Sequence, residues 1–158
     1  MRGIIVVYSY TGYTRRAAEA AAEASGWPLA ELTVSPPYTG GYWQMVARIG
    51  GEMVCGSHRA VCPAADVVAT AERVILAVPT WWFTYAWPLH SWVREASWAG
   101  RRLYGLVTCG SRPGHSGEEL ARDSGGALVD ILVVRQRQHP APDKQEIATW
   151  VSDVVMKE

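Results

Sequence analysis

Ile4-Ile5-Val6-Val7-Tyr8-Ser9-Tyr10-Thr11-Gly12-Tyr13-Thr14 is the stretch of this 158-residue chain that decides its fold. A β-branched apolar run stops at Ser9, a hydroxyl-rich turn with one glycine follows, and Arg15 to Ala24 (RRAAEAAAEA) reads as strong helix. A buried strand ending in a small polar turn at a helix N-terminus is a place where a phosphate can rest. The unpaired N–H groups of the first helical turn point outward there, and the helix dipole favours an anion. Ser9, Thr11 and Thr14 add hydroxyls, and Gly12 admits close backbone approach. The stretch is neither a Walker loop, since it has no Lys-Ser/Thr, nor the three-glycine dinucleotide fingerprint. A hydroxyl-lined turn without a lysine suits a terminal phosphate monoester held by neutral donors.

Outward from this stretch, the pattern predicts strands over 3–8, 28–34, 73–78, 103–108 and 128–134. It predicts helices over 14–25, 43–54, 64–71, 87–98, 117–124 and 143–156. Gly26 closes the first helix, and Pro88 falls in the first turn of the fourth, where proline is tolerated. Strands apolar on both faces and alternating with helices indicate a parallel α/β sheet covered on both sides. No repeat or linker divides residues 1–158, which read as one domain.

The bulk composition excludes several classes. Fifteen basic residues balance fifteen acidic ones, so no global field recruits nucleic acid. The basic run Arg135, Arg137 and His139 is too small to change that. Cys55, Cys62 and Cys109 have no C-x-x-C spacing and an odd count, which points to reduced thiols and a cytoplasmic setting. The opening apolar run is too short and too β-branched for a signal peptide, and no stretch approaches the roughly 20 apolar residues of a membrane span. His58, His90 and His139 show no metal-ligand spacing and read as surface or capping residues, so no metal site is expected. No serine sits in a nucleophile elbow. The unusual statistic is eight Trp and seven Tyr against one Phe. Such rings favour pocket walls and interfaces, a homodimer contact included.

In open α/β sheets ligands bind at the carboxyl ends of the strands, near the topological switch. Three loops leave strand ends with pocket-like composition: 9–14, 79–86 and 108–116. The second begins Pro79-Thr80-Trp81-Trp82-Phe83 and offers aromatic faces for a planar ligand. The third, with Thr108, Cys109, Gly110, Ser111 and Gly114, offers backbone donors and acceptors for a heterocycle edge. A phosphate cradle, an aromatic wall and a polar edge together describe a site for a phosphorylated planar heterocycle.

On these residues the chain resembles the flavodoxin family. The resemblance rests on Ser9-Tyr10-Thr11-Gly12-Tyr13-Thr14 as an S-x-T-G-x-T phosphate loop, on Pro79-Thr80-Trp81-Trp82 with Pro88 beyond, and on the 108–114 loop. The segment from Pro37-Tyr38 to Tyr42, leading through Arg48 to Glu52, also resembles the short flavodoxin-like proteins. The resemblance implies a flavodoxin-like three-layer sandwich, with a five-stranded parallel sheet in the order 2-1-3-4-5 and one bound FMN. It implies that Ser9, Thr11, Gly12 and Thr14 hold the phosphate with backbone N–H groups of Tyr10 and Tyr13. Pro79, Thr80, Trp81, Trp82 and Phe83 would flank the ring system, and Thr108, Cys109, Gly110, Ser111 and Gly114 would meet its polar edge.

Two uses of FMN remain open at this point. Electron-carrier flavodoxins are usually strongly acidic, whereas this chain is neutral and carries Arg112 and His115 in its third loop. A cation beside the ring edge would ease two-electron reduction, which favours an oxidoreductase passing electrons from a reduced donor such as NAD(P)H to a quinone or similar small acceptor. The alternatives are a one-electron carrier serving a partner redox protein, and a cofactor-free interaction module.

Overall fold

The computed structural model describes residues 2–157. Strand β1 (Gly3–Val7) runs into the Ser9–Gly12 turn and then α1 (Tyr13–Ser25). Gly12 and Gly26, at φ 93° and 71°, bracket that helix, and the Gly26 N–H closes it on the Ala22 carbonyl at 2.8 Å. There follow β2 (Leu29–Glu31), β3 (Thr33–Ser35), α2 (Tyr42–Cys55), β4 (Ala60–Cys62) and a 3-10 turn over Ala65–Val68. The second half comprises β5 (Arg73–Trp81), β6 (Thr84–Tyr85), α3 (Pro88–Glu95), β7 (Arg102–Cys109), α4 (Ser116–Asp123), β8 (Leu128–Arg135) and α5 (Lys144–Trp150).

The main sheet runs β2-β1-β5-β7-β8 with every neighbouring pair parallel. Counted along the chain, its five strands stand in the expected order 2-1-3-4-5. Strand residues alternate between two cores. Ile5, Val7, Ile75, Ala77, Tyr104 and Leu106 face α1 and α5, where Ala17, Ala18 and Ala21 let α1 lie close to the sheet. Val6, Val74, Leu76, Val78 and Val107 face the other way, onto Met45 and Ile49 of α2, Leu89 and Trp92 of α3, and Leu120 of α4. Burial on both faces is why these strands read as unbroken apolar runs. The chain leaves β1 toward β2 on one side and returns to β5 on the other, so the topological switch lies between β1 and β5.

Five elements differ from the sequence reading. The helix expected over 64–71 is a single 3-10 turn over Ala65–Val68. The 28–34 strand is split: Leu29–Glu31 pairs with β1, and Thr33–Ser35 turns away to pair antiparallel with Ala60–Cys62. In this stretch buried Leu32 and Val34 alternate with exposed Glu31, Thr33 and Ser35, the pattern of a ribbon wet on one face. The 79–86 loop is instead a hairpin, in which β5 continues through Trp81 and returns as β6. The helix over 87–98 is confined to Pro88–Glu95, because Ala96 is already extended. The closing helix is α-helical over Lys144–Trp150 and then forms a π turn over Val151–Val155. There the buried Arg73 guanidinium takes the Val155 carbonyl at 2.5 Å, a bond that links the start of β5 to the chain end. Among the described residues no helix is long and apolar enough to cross a membrane.

Candidate functional site

The turn after β1 is built by its own hydroxyl. Ser9 Oγ accepts the Gly12 N–H at 3.0 Å and so fixes the left-handed glycine that precedes α1. No side chain caps α1, and its first turn holds no acidic residue. It holds Arg15 and Arg16 instead, a pair of cations where the dipole is already positive. Arg15 is drawn to Glu19 at 3.2 Å and Glu31 at 3.5 Å, and the Arg16 guanidinium lies 5.6 Å from the Tyr13 ring centre. The helix end therefore keeps its unfilled amides, which suit an anion, while the charge of Arg15 is taken up by the two carboxylates. A Cβ at Gly12 would meet nothing within 4 Å, so the approach to those amides is open. Thr14 and Thr108 share a 2.7 Å hydrogen bond that ties the start of α1 to the end of β7. Only one proton lies between the two oxygens, so the pair retains a second for donation.

The aromatic wall is organised around Trp81. Tyr8, Tyr10 and Tyr38 stand edge-on to its ring, with centroids 5.4, 6.3 and 5.6 Å away. Tyr38 is fixed in turn: its hydroxyl donates to Glu52 at 2.6 Å, and the Arg59 guanidinium lies 3.9 Å over its ring while pairing with Glu52 at 2.7 Å. Burial pushes the Tyr8 and Tyr38 phenols well above their ordinary range, and the Glu52 contact adds to this at Tyr38, so both remain neutral donors.

Beyond Trp81 the hairpin turns through Trp82 and Phe83, both in the left-handed region at φ 50° and 64°. Two-residue hairpins need that geometry and ordinarily use Asn-Gly to adopt it. With two large side chains the turn is strained, and it is pinned from both sides. The Trp82 indole N–H donates to the Val46 carbonyl of α2 at 2.8 Å, and the Phe83 carbonyl accepts the His115 N–H at 2.6 Å. A Cβ on Gly114 would overlap that carbonyl, so glycine is required there. Below the turn, β6 sits in a buried polar network. His90 Nδ1 lies 2.8 Å from Asp123, the Tyr85 hydroxyl donates to the same carboxylate at 2.6 Å, and the Thr84 hydroxyl donates to Glu119. The Tyr85 and His90 rings stack at 3.8 Å.

These parts enclose one cavity of about 430 Å³. Of the expected residues, Tyr10, Thr11, Tyr13, Thr14, Pro79, Thr80, Trp81, Trp82, Phe83, Thr108, Cys109 and Gly110 line it. Ser9, Gly12, Ser111 and Gly114 lie outside the lining. Ser9, Gly12 and Gly114 shape the turns, and the Ser111 carbonyl accepts from Arg135 at 3.1 Å. Burial raises the Cys109 thiol above its ordinary value against the pull of Arg135, so it stands in the cavity as a neutral thiol. Arg112 and His115 do not reach the lining; both are exposed, and His115 Nδ1 lies 3.5 Å from Glu118.

This architecture can be set beside solved structures. A candidate flavoprotein from Bacteroides eggerthii superposes with a TM-score of 0.82 over 99% of each chain at 21% identity. A second, from Bacteroides uniformis, gives 0.81 at 20% identity, over 96% of this chain and 98% of the other. A flavoprotein in complex with FMN from Lactobacillus acidophilus gives 0.70 at 13% identity, over 84% of this chain and 92% of the other. The fold is flavodoxin-like. No family model matches the sequence, and no curated protein matches it either.

Within this flavodoxin-like fold, five cavity residues escaped the sequence reading. Tyr42, Met45, Val46 and Ile49 form a complete wall from α2, and Gln136 enters after β8. The signal was present, because positions 42, 45, 46 and 49 form one apolar helical stripe. Sequence alone assigns such a stripe to the core. Of the histidines, His58 is exposed as expected, stacked on Trp87 at 4.5 Å. His90 differs from expectation, being buried in the network behind β6 rather than at the surface. His139, expected to lack ligand neighbours, comes with Asp143 and Glu146 into a group whose polar atoms lie within 4.8 Å of one another. The Asp143 carboxylate of that group is engaged as the N-cap of α5.

Proposed function

We propose that the protein binds FMN in this cavity and works as an oxidoreductase, passing electrons from a reduced donor such as NADH or NADPH to a quinone or similar small acceptor. The observation that carries the reading is that a single cavity joins an uncapped, acid-free helix N-terminus to the Trp81 wall and to the polar end of β7. The residues fit the group. The first-turn amides of α1, Thr11 and the spare proton of the Thr14–Thr108 pair offer neutral donors to a phosphate monoester. Trp81 and Trp82 supply flat apolar surface to a ring system, and the backbone at Cys109 and Gly110 supplies its polar edge with partners.

When bound, FMN supplies reversible two-electron chemistry that none of the side chains can perform. The chain's part is positioning. The three tyrosines fix the plane of Trp81, the pinned hairpin keeps Trp82 against α2, and the absence of any charged side chain in the lining keeps the interior weakly solvated. Neutral net charge favours a small acceptor over a protein partner that an acidic surface would have to steer.

The test is a visible spectrum of the purified protein followed by anaerobic titration with NADH and NADPH. Flavin absorption that bleaches rapidly with either nucleotide is the expected result. A yellow protein that neither nucleotide bleaches is a carrier reduced by a separate enzyme. A colourless protein that takes up no added FMN removes the reading altogether.

A further inference from the structure

Two groups of cations take no part in lining the cavity: Arg112 with His115, and Arg135 with Arg137 and His139. The fold brings them to one place. Strands β7 and β8 end side by side, with Cys109 opposite Arg135 in the sheet register. Beyond the strands the two loops stay paired. The Gln136 N–H donates to the Cys109 carbonyl at 2.8 Å, and the Arg137 N–H to the Gly110 carbonyl at 3.1 Å. Arg135 Nε donates to the Ser111 carbonyl at 3.1 Å, which sets its guanidinium on the peptide that joins Ser111 to Arg112. Cys109, Gly110 and Gln136 line the cavity, so the three arginines form a rim just outside its polar edge. Among the described residues none of the three pairs with a carboxylate. His115 and His139 add less, because Glu118 stands beside the first and Asp143 and Glu146 beside the second. Like charges held together on paired loops repel one another, and an anion between them relieves that cost. Guanidinium groups present planar forks of N–H donors that match the oxygens of a phosphate.

We infer that Arg112, Arg135 and Arg137 form an anion rim that takes the diphosphate of a nicotinamide dinucleotide, the electron donor of the proposed reaction. The inference rests on that reading for the nucleotide's role as donor but not for the binding itself. The rim is separate from the phosphate turn. That turn follows β1, whereas the rim follows β7 and β8, and β5 lies between β1 and β7 in the sheet. A small diphosphate suits a cluster of this size. A nucleic acid or an acidic protein surface needs a broad positive field, which a chain of fifteen cations and fifteen anions does not present.

The experiment is calorimetric titration of the oxidised, flavin-loaded protein with ADP-ribose. This probe carries the diphosphate of the dinucleotide but no nicotinamide, so it cannot reduce the flavin; adenosine is the uncharged control. ADP-ribose should bind, and adenosine should bind about tenfold more weakly or less. Arg112→Gln and Arg137→Gln should each weaken ADP-ribose by about threefold and together by about tenfold, the scale of exposed charge contacts that add. Arg102→Gln removes the same charge at the start of β7, the far end of that strand, and should change nothing. Raising salt from about 50 to about 200 mM should weaken ADP-ribose by about threefold. Once nucleotide is saturating, a neutral quinone such as duroquinone adds no charge for salt to screen. No binding of ADP-ribose, unchanged affinity in the double variant, or an equal loss in Arg102→Gln overturns the rim. If the protein takes no FMN, the same titration and variants on the purified protein still decide the rim, while the FMN reading alone has failed.

Discussion

Phe83 and Gly114 form a pair whose substitutions should act in opposite directions. Phe83 is exposed and strained, so Phe83→Gly removes little burial and relieves roughly 1–2 kcal/mol of backbone strain. Set against the roughly 0.5–1 kcal/mol that a glycine adds in chain entropy, the variant should be more stable by about 0.5–1 kcal/mol in urea denaturation. Gly114→Ala places a methyl group on the Phe83 carbonyl at a residue with φ 56° and should destabilise by about 2 kcal/mol. Thr11 is a residue of the other end. It is exposed in a turn closed by Ser9 and Gly12, so Thr11→Glu should leave the fold intact by circular dichroism. Its carboxylate would stand where the phosphate is proposed to rest, and FMN retention should be lost. A Thr11→Glu protein that purifies yellow would show that the phosphate sits elsewhere.

At the scale of elements, β6 is held by groups that titrate. Burial holds the His90 imidazole below its ordinary 6.5, outweighing the Tyr85 carbonyl and the Asp123 and Glu119 carboxylates that pull it upward. His58 is lowered as well, by burial and by Arg94. In the unfolded chain both rings take their protons near pH 6.5, while the folded protein resists until the pH is lower. The unfolded state therefore binds more protons in that window, and stability, complete above about pH 6.5, falls as the pH drops below it. Urea midpoints measured from about pH 7.5 down to about pH 5.5 should show this decline, with a shallower slope for His90→Gln. The network was illegible in the sequence because its members are spread from Thr84 to Asp123, and only the hairpin brings them together. The hairpin was hidden for a related reason, since Trp82-Phe83 carries none of the Asn-Gly chemistry that announces such a turn. Strands β1, β5 and β7 were legible because each is apolar on both faces, whereas β2 was read only as part of a longer strand because its apolar run continues into β3. The α2 wall was half legible: its stripe gave the helix, but a stripe does not say whether it faces a core or a cavity.

For the whole molecule, a net charge of zero is the governing quantity. Association driven by long-range fields weakens steeply with salt, whereas a neutral acceptor meeting a neutral protein should not respond. Turnover with duroquinone should accordingly vary little between low and physiological ionic strength. A steep decline in stopped-flow rates would point instead to a charged partner and to the carrier reading. The sheet and its α1–α5 layer form the firm part of the molecule, with six buried residues on α1 alone. Helix α2 is different: it is longer than α1, yet only Met45 and Ile49 are buried on it, and two glycines interrupt its middle. Local opening is easiest where few apolar contacts hold an element, so the α2 amides should exchange with solvent before those of α1. The α2 wall of the cavity is thus the one that breathes, and the residence time of whatever the cavity holds becomes a property of this helix. Gly51 has open space around it, so Gly51→Ala should firm α2 by about 1 kcal/mol without entering the cavity. If departure waits on α2, that change slows ligand release by about fivefold, a difference that a displacement experiment can time.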